Sequence, residues 1–217
     1  MPTDTSGPQS GYASAAEELL VLRTSPPRER ADAARNRIAV LDAAAALFRE
    51  HGVDGVSMDA VAAAAGVGKG TLFRRFGDRA GLAAALLDER ERALQEAVLF
   101  GRAPLGPGTT TRHPAPGTRL RAFVDAYLDY ALSHLDLIRV SETGSPGARY
   151  RIGAYRFWHR HVALLLAAAR PRADAEADAH TLLASLAAEH LCAVVAELGA
   201  ARVRRSALAF ANAVARV

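Results

Sequence analysis

Four consecutive alanines, Ala62 to Ala65, run straight into Gly66-Val67-Gly68. This pairing of the best helix former with the residue that most readily ends a helix recurs on a coarser scale along all 217 residues. Alanine and leucine are abundant, β-branched residues are sparse and aromatic residues make up only 6% of the chain. Summed over long windows, that bias favours helix. An all-α protein is therefore expected, and with half of the residues apolar the chain buries a real core as one large or two small domains.

Punctuation divides the chain. Residues 1 to 30 are rich in Pro, Gly, Ser and Thr, with one short helical pattern over 13–22, and read as a mostly disordered arm. Order is expected from Ala31, with Ile38, Leu41, Ala45 and Phe48 forming the buried stripe of a first helix that Gly52 stops. Ser57 is placed to cap a second helix starting at Met58, with Val56 packing on Val61 as a hydrophobic staple. Gly66 ends that helix. A short third helix follows over 69–76 with Leu72 and Phe76 on one face, and Asp78 caps a long fourth one, about 80–99. The Gly/Pro/Thr-rich stretch 101–118 marks a boundary. Beyond it, helical stripes run over 120–135, 150–169, 175–198 and 201–217, separated by Gly144-Ser145-Pro146-Gly147, Pro171 and Gly199.

The chain's single lysine sits in Gly66-Val67-Gly68-Lys69-Gly70-Thr71, which admits two readings. A phosphate-cradling loop needs glycines around the phosphates, a lysine on the outer phosphates, and a buried strand leading into it. Here the first required glycine is Ala63, and the residues before the loop read as a capped helix. The other reading is a helix-turn-helix, two short helices joined by a tight turn, the second entering the major groove of DNA. Its outer face then presents Lys69, Gly70, Thr71, Phe73, Arg74 and Arg75. Glycine allows close backbone approach to a duplex, and arginine forks match guanine edges or phosphates. The net charge of +4 decides little, but basic residues cluster: four against one acid over 69–79, five against two over 21–37.

Residues 37–87, through "AAALFREHG", "SMDAVAAAAGV" and "GKGTLFRRFGDRAGL", resemble the DNA-binding domain of the TetR family of bacterial transcriptional regulators, and the remainder resembles, more weakly, the helical regulatory domain of actinobacterial members. The chain departs from the family pattern at Phe73, where tyrosine is usual, and at Arg74 and Arg75, where histidines are frequent. The resemblance implies an N-terminal three-helix helix-turn-helix domain (31–80), a connecting helix (81–100), a loop (101–118), and a C-terminal helical bundle (119–217) for effector binding and dimerisation. It implies a cytoplasmic, ligand-responsive repressor that binds a palindromic DNA operator as a homodimer and is released by a small molecule.

On that reading Lys69, Gly70, Thr71 and Arg74 face base edges or adjacent phosphates, with Ser57, Phe73, Arg75 and Arg79 along the backbone. The basic stretch from Arg23 to Arg37 is a candidate minor-groove arm. Phe123, Tyr127, Tyr155, Phe157, Trp158 and His190 are candidate walls of an effector pocket, and core packing explains each of them equally well. His159 and His161 point to different helix faces, a poor geometry for metal ligands, and Cys192 reads as a small buried hydrophobe. No cofactor, metal or membrane span is expected, and no nucleophile has an evident base. A nucleotide-binding enzyme using the lysine loop and a helical protein-interaction module remain the alternatives.

Overall fold

The computed structural model of the protein describes residues 27–108 and 114–216. The expected N-terminal arm, with its short helical pattern over 13–22 and Arg23, lies outside these residues up to position 26. Among the described residues there are eleven helices and no strand: α1 (Pro27–His51), α2 (Met58–Ala64), α3 (Lys69–Phe76), α4 (Arg79–Phe100), α5 (Pro116–Ser133), α6 (Leu135–Thr143), α7 (Ala148–Arg151), α8 (Gly153–Ala169), α9 (Ala175–Ala184), α10 (Ala188–Leu198) and α11 (Ala200–Val214).

The N-terminal unit follows from its caps. Ser57 holds an extended conformation and its hydroxyl accepts from the Ala60 N–H at 3.1 Å, starting α2. Val56 and Val61 are both buried in the same cluster, as a staple requires. The chain turns at Gly66 with φ at 64°, where a side chain would be strained. Asp78 caps α4 by accepting from the Gly81 N–H at 2.9 Å. Gly81 is itself required, since a Cβ there would stand 1.9 Å from the Phe76 carbonyl oxygen. Val40, Ala44, Phe48, Val61, Leu72, Phe76 and Leu82 form the core of this unit.

The first helix corrects the expectation in two ways. It begins at Pro27 rather than Ala31, so Arg35 and Arg37 belong to a helix and not to an arm. Its buried positions are Val40, Ala44 and Phe48, whereas Ile38 is 59% exposed.

A second, larger core belongs to the C-terminal unit, where α4, α5, α6, α8, α9 and α11 surround Phe123, Tyr127, Trp158, Val162, Leu166 and Leu183. Pro116 occupies the first turn of α5, where its missing N–H costs nothing, so this helix starts inside the stretch expected to be loop. The single helix expected over 175–198 is two, α9 and α10, bent by 50°. That expected over 150–169 is likewise broken, at Ile152 between α7 and α8. Helix α6 was not anticipated. No single helix among the described residues is long and apolar enough to cross a membrane.

Helix α6 touches both cores: Val140 is part of the N-terminal cluster and Ile138 of the C-terminal one. Polar contacts reinforce this junction. The Asp54 carboxylate, in the loop after α1, pairs with Arg79 at 3.3 Å and with Arg139 of α6.

Candidate nucleic-acid interface

Helix α3 separates cleanly into two faces. Leu72 and Phe76 are buried, while Lys69, Gly70, Phe73, Arg74 and Arg75 are exposed and Thr71 is half-buried. Two turns of helix suffice for this division, because positions 72 and 76 stack on one side. Phe73 is a large apolar ring left 45% exposed.

The basic side chains around α3 have different commitments. Lys69 Nζ pairs with Asp59 of α2 at 2.5 Å, both side chains remaining well exposed. Arg75 donates to the Ala33 carbonyl of α1 at 2.7 Å. Arg79, expected along a DNA backbone, is half-buried and donates to the Val53 and Asp54 carbonyls at 3.2 and 2.9 Å. It holds the α1–α2 loop against α4. Arg74 has no hydrogen-bond or ion-pair partner among the described residues. Gly70 carries a further signal: its φ is not positive, and a Cβ added there would meet nothing within 4 Å. Nothing inside the fold asks for glycine at 70.

The C-terminal unit gathers four of the six candidate pocket residues, while Phe157 is half-buried on a separate cleft beside α4. Phe123, Tyr127, Tyr155 and Trp158 are all buried, with Phe123 and Trp158 rings 5.8 Å apart and Tyr127 and Trp158 rings 6.2 Å apart. Tyr127, Tyr155 and Trp158 line an interior cavity of about 20 Å³; Phe123 stands behind them in the core. Burial pushes the Tyr127 hydroxyl up to about 12. The same cavity is lined by polar residues that sequence reasoning missed, Glu91, Tyr130, Glu142 and Arg149. Tyr130 donates to Glu91 at 2.9 Å, and Arg149 pairs with Glu142 while donating to the Leu183 carbonyl at 2.8 Å. Burial raises both glutamates above the usual carboxylate range.

His190 is placed elsewhere. It is exposed, in a surface groove of about 340 Å³ between α10 and α11, with Val194, Leu198, Ala207 and Phe210. Cys192 is half-buried rather than enclosed. His159 and His180 lie with ring centres 3.9 Å apart and planes tilted by 31°, and the Tyr155 hydroxyl is 2.6 Å from His180 Nδ1. No group of three or more metal-ligating side chains suited to an ion occurs among the described residues.

A fold without strands among its described residues, with a capped helix, a glycine turn and a second helix of this polarity, defines a helix-turn-helix protein with a helical C-terminal unit. Residues 40–86 match the family described as bacterial regulatory proteins, tetR family. An HTH-type transcriptional regulator of Staphylococcus aureus (strain USA300) is 43% identical over 53 residues, which span 24% of this chain and 29% of that protein. The likeness to such curated relatives thus covers less than a third of their length. The fold as a whole resembles a TetR-family regulator from Pectobacterium atrosepticum (TM-score 0.56, 23% identity, covering 83% of this chain and 92% of that one). It also resembles the Thermus thermophilus TetR-family repressor FadR, solved in complex with lauroyl-CoA (TM-score 0.56, 20% identity, 81% and 92% covered). The loop reading as a nucleotide site is set aside: the residues before Gly66 are helical, and no strand leads into it among the described residues.

Proposed function

We propose that this protein is a transcriptional regulator that binds a palindromic duplex as a homodimer through α3, represses, and lets go when a small molecule occupies its C-terminal unit. The observation that carries this reading is the outer face of α3, where Arg74 is uncommitted and Gly70 has no structural reason to be glycine. A guanidinium free of internal partners is available for a bidentate contact to guanine or phosphate. A glycine in the first turn lets the helix approach a duplex without a methyl group between them.

Anisotropy titration against duplexes tiled across the DNA upstream of the gene tests the proposal. One duplex bound well above its neighbours is expected, and uniform binding of every duplex would contradict it. Arg74→Ala is expected to weaken that duplex by about 1–3 kcal/mol and to relax preference at one base position. Gly70→Ala separates binding from folding. Alanine is the better helix residue by about 0.5–1 kcal/mol, so thermal stability rises or holds while DNA affinity falls. A variant that binds normally would remove Gly70 from the interface.

A single helix reads few base pairs, and two copies reach successive major grooves. The groove between α10 and α11 supports the pairing surface: Leu198 and Phe210 remain 40% and 39% exposed on helices otherwise rich in alanine, which permits close packing of two pairs into a four-helix bundle. Leu198→Glu/Phe210→Glu is expected to shift sedimentation from dimer to monomer and to abolish tight operator binding. A dimer that survives both changes would place the interface elsewhere.

A further inference from the structure

Glu91 is a half-buried carboxylate with no ion-pair partner among the described residues. It lies on α4 and lines two spaces at once: the 20 Å³ interior cavity and an open cleft of about 700 Å³ between α4 and the start of α8. Ile152 and Ala154 line both spaces too, so the three residues partition them. On the cleft side the arginines are already engaged, Arg37 and Arg92 both pairing with Asp88, at 3.6 and 2.8 Å. On the interior side the one guanidinium, Arg149, is matched by Glu142 and the Leu183 carbonyl. Glu91 keeps only a neutral donor, the Tyr130 hydroxyl. The charges that act on it, Asp88 and Glu142, are of its own sign.

The walls around this carboxylate are aromatic. Tyr127, Tyr130, Tyr155 and Trp158 present ring faces and edges, and a cation already uses one of them, the Arg149 guanidinium carbon lying 5.1 Å from the Tyr155 ring centre. Ring faces attract cations, and a desolvated carboxylate without a positive partner does so more strongly. An anion would gain Arg149, whose Nε is buried without a partner, but would face Glu91 and Glu142 together.

We infer that Glu91 anchors a monocationic ligand with an apolar body, admitted from the α4–α8 cleft past Ile152 and held against the tyrosines and Trp158. This names the effector class for the ligand-responsive reading above and rests on that reading for its regulatory consequence. The interior space is only large enough for about one water, so the ligand displaces Ile152 at the break between α7 and α8 and takes over the Glu91 oxygen held by Tyr130.

Trp158 is the only tryptophan in the chain and lines the site, so its fluorescence reports occupancy. The full chain is titrated with three probes of similar shape: 2-phenylethylamine, a cation at neutral pH, 2-phenylethanol, neutral, and 3-phenylpropionate, an anion. The amine is expected to bind at least about tenfold more tightly than the other two, and Glu91→Gln to erase that preference. Tyr130→Phe removes the competing donor and is expected to tighten the amine, which keeps the test decisive if Glu91→Gln fails to fold. Preference for the anion, equal binding of all three, no saturable response to the amine, or an amine response unchanged in Glu91→Gln each overturns the inference. Release of the labelled duplex is read separately. Amine binding that leaves DNA affinity unchanged would overturn the ligand-responsive reading and leave the Glu91 site standing.

Discussion

Arg149→Ala is expected to cost about 3–5 kcal/mol of stability, the price of leaving a buried charge without its partner. Arg149 and Glu142 side chains are 9% and 10% exposed. Removing the guanidinium strands Glu142, vacates the Leu183 carbonyl and loses the contact with the Tyr155 ring. Five helical elements meet at this pair, because Glu142 also accepts from the Ala188 N–H at 2.9 Å and so caps α10 from α6. Burial already raises the Glu142 carboxyl, and Arg149 is the chief influence holding it down. Without Arg149 it protonates more readily, so the defect should shrink as pH is lowered. Denaturant melts of Arg149→Ala and of Arg149→Met/Glu142→Leu check the argument. The double substitution is expected to recover much of the loss, since an apolar pair of similar volume carries no desolvation cost. A loss well under 1 kcal/mol for the single change would mean that water reaches Glu142.

His161 makes the second large effect, one of pH. It projects from α8 against the Phe123 ring, 5.2 Å between centres, and its Nε2 is buried without a hydrogen-bond partner among the described residues. Burial, with a smaller push from Arg119, lowers its pKa from 6.5 to about 4. The unfolded chain therefore takes up a proton near pH 6.5 that the folded chain refuses until about pH 4. Stability from this group is complete above the higher value and is lost as pH falls towards the lower one, about 3 kcal/mol over the window. Glu91 and Glu142 act in the opposite sense, their raised pKa values favouring the fold below those values and weakening it as pH rises through them. The difference between the wild type and His161→Gln, measured by denaturant melts from pH 7 to 4, isolates the histidine. Parallel stability curves for the two proteins would show that His161 is open to water.

Local chemistry made the N-terminal unit legible. Ser57, Gly66 and Asp78 each act within a few residues of themselves, so spacing alone located α2, α3 and the start of α4. The same reasoning slipped where a choice lay between adjacent stripes of one helix. Ile38 and Val40 are both apolar, and only packing against α2 and α4 selects Val40. Helix α6 went unread because Ile138, Val140 and Ser141 are buried in near succession between two cores, which erases a helical period. The break after Ala184 was equally hidden: α10 has no side-chain cap of its own and borrows Glu142 from a helix more than forty residues earlier. Of the site residues, outward positions on α3 could be read from Leu72 and Phe76 facing inward. Arg79 could not, since its acceptors are carbonyls in another loop. Glu91 and Glu142 look like solvated helix charges in sequence, and only tertiary packing withdraws them from water. His190 faces a surface groove because the bend between α9 and α10 takes it off the line of Leu183, while Leu191 beside it stays in the core.

Among 27 basic residues Lys69 is the only lysine, and its ammonium stands exposed at the first turn of α3. The side-chain amine chemistry of this molecule is thus concentrated at one atom. An acylating reagent selective for lysine would write a single mark there, neutralise the charge and release Asp59 from its 2.5 Å contact. Its rate of attack would then serve as a footprint: slowed when a duplex covers α3, unchanged when only the C-terminal unit is filled. A residue rare enough to be unique turns an interface into its own reporter.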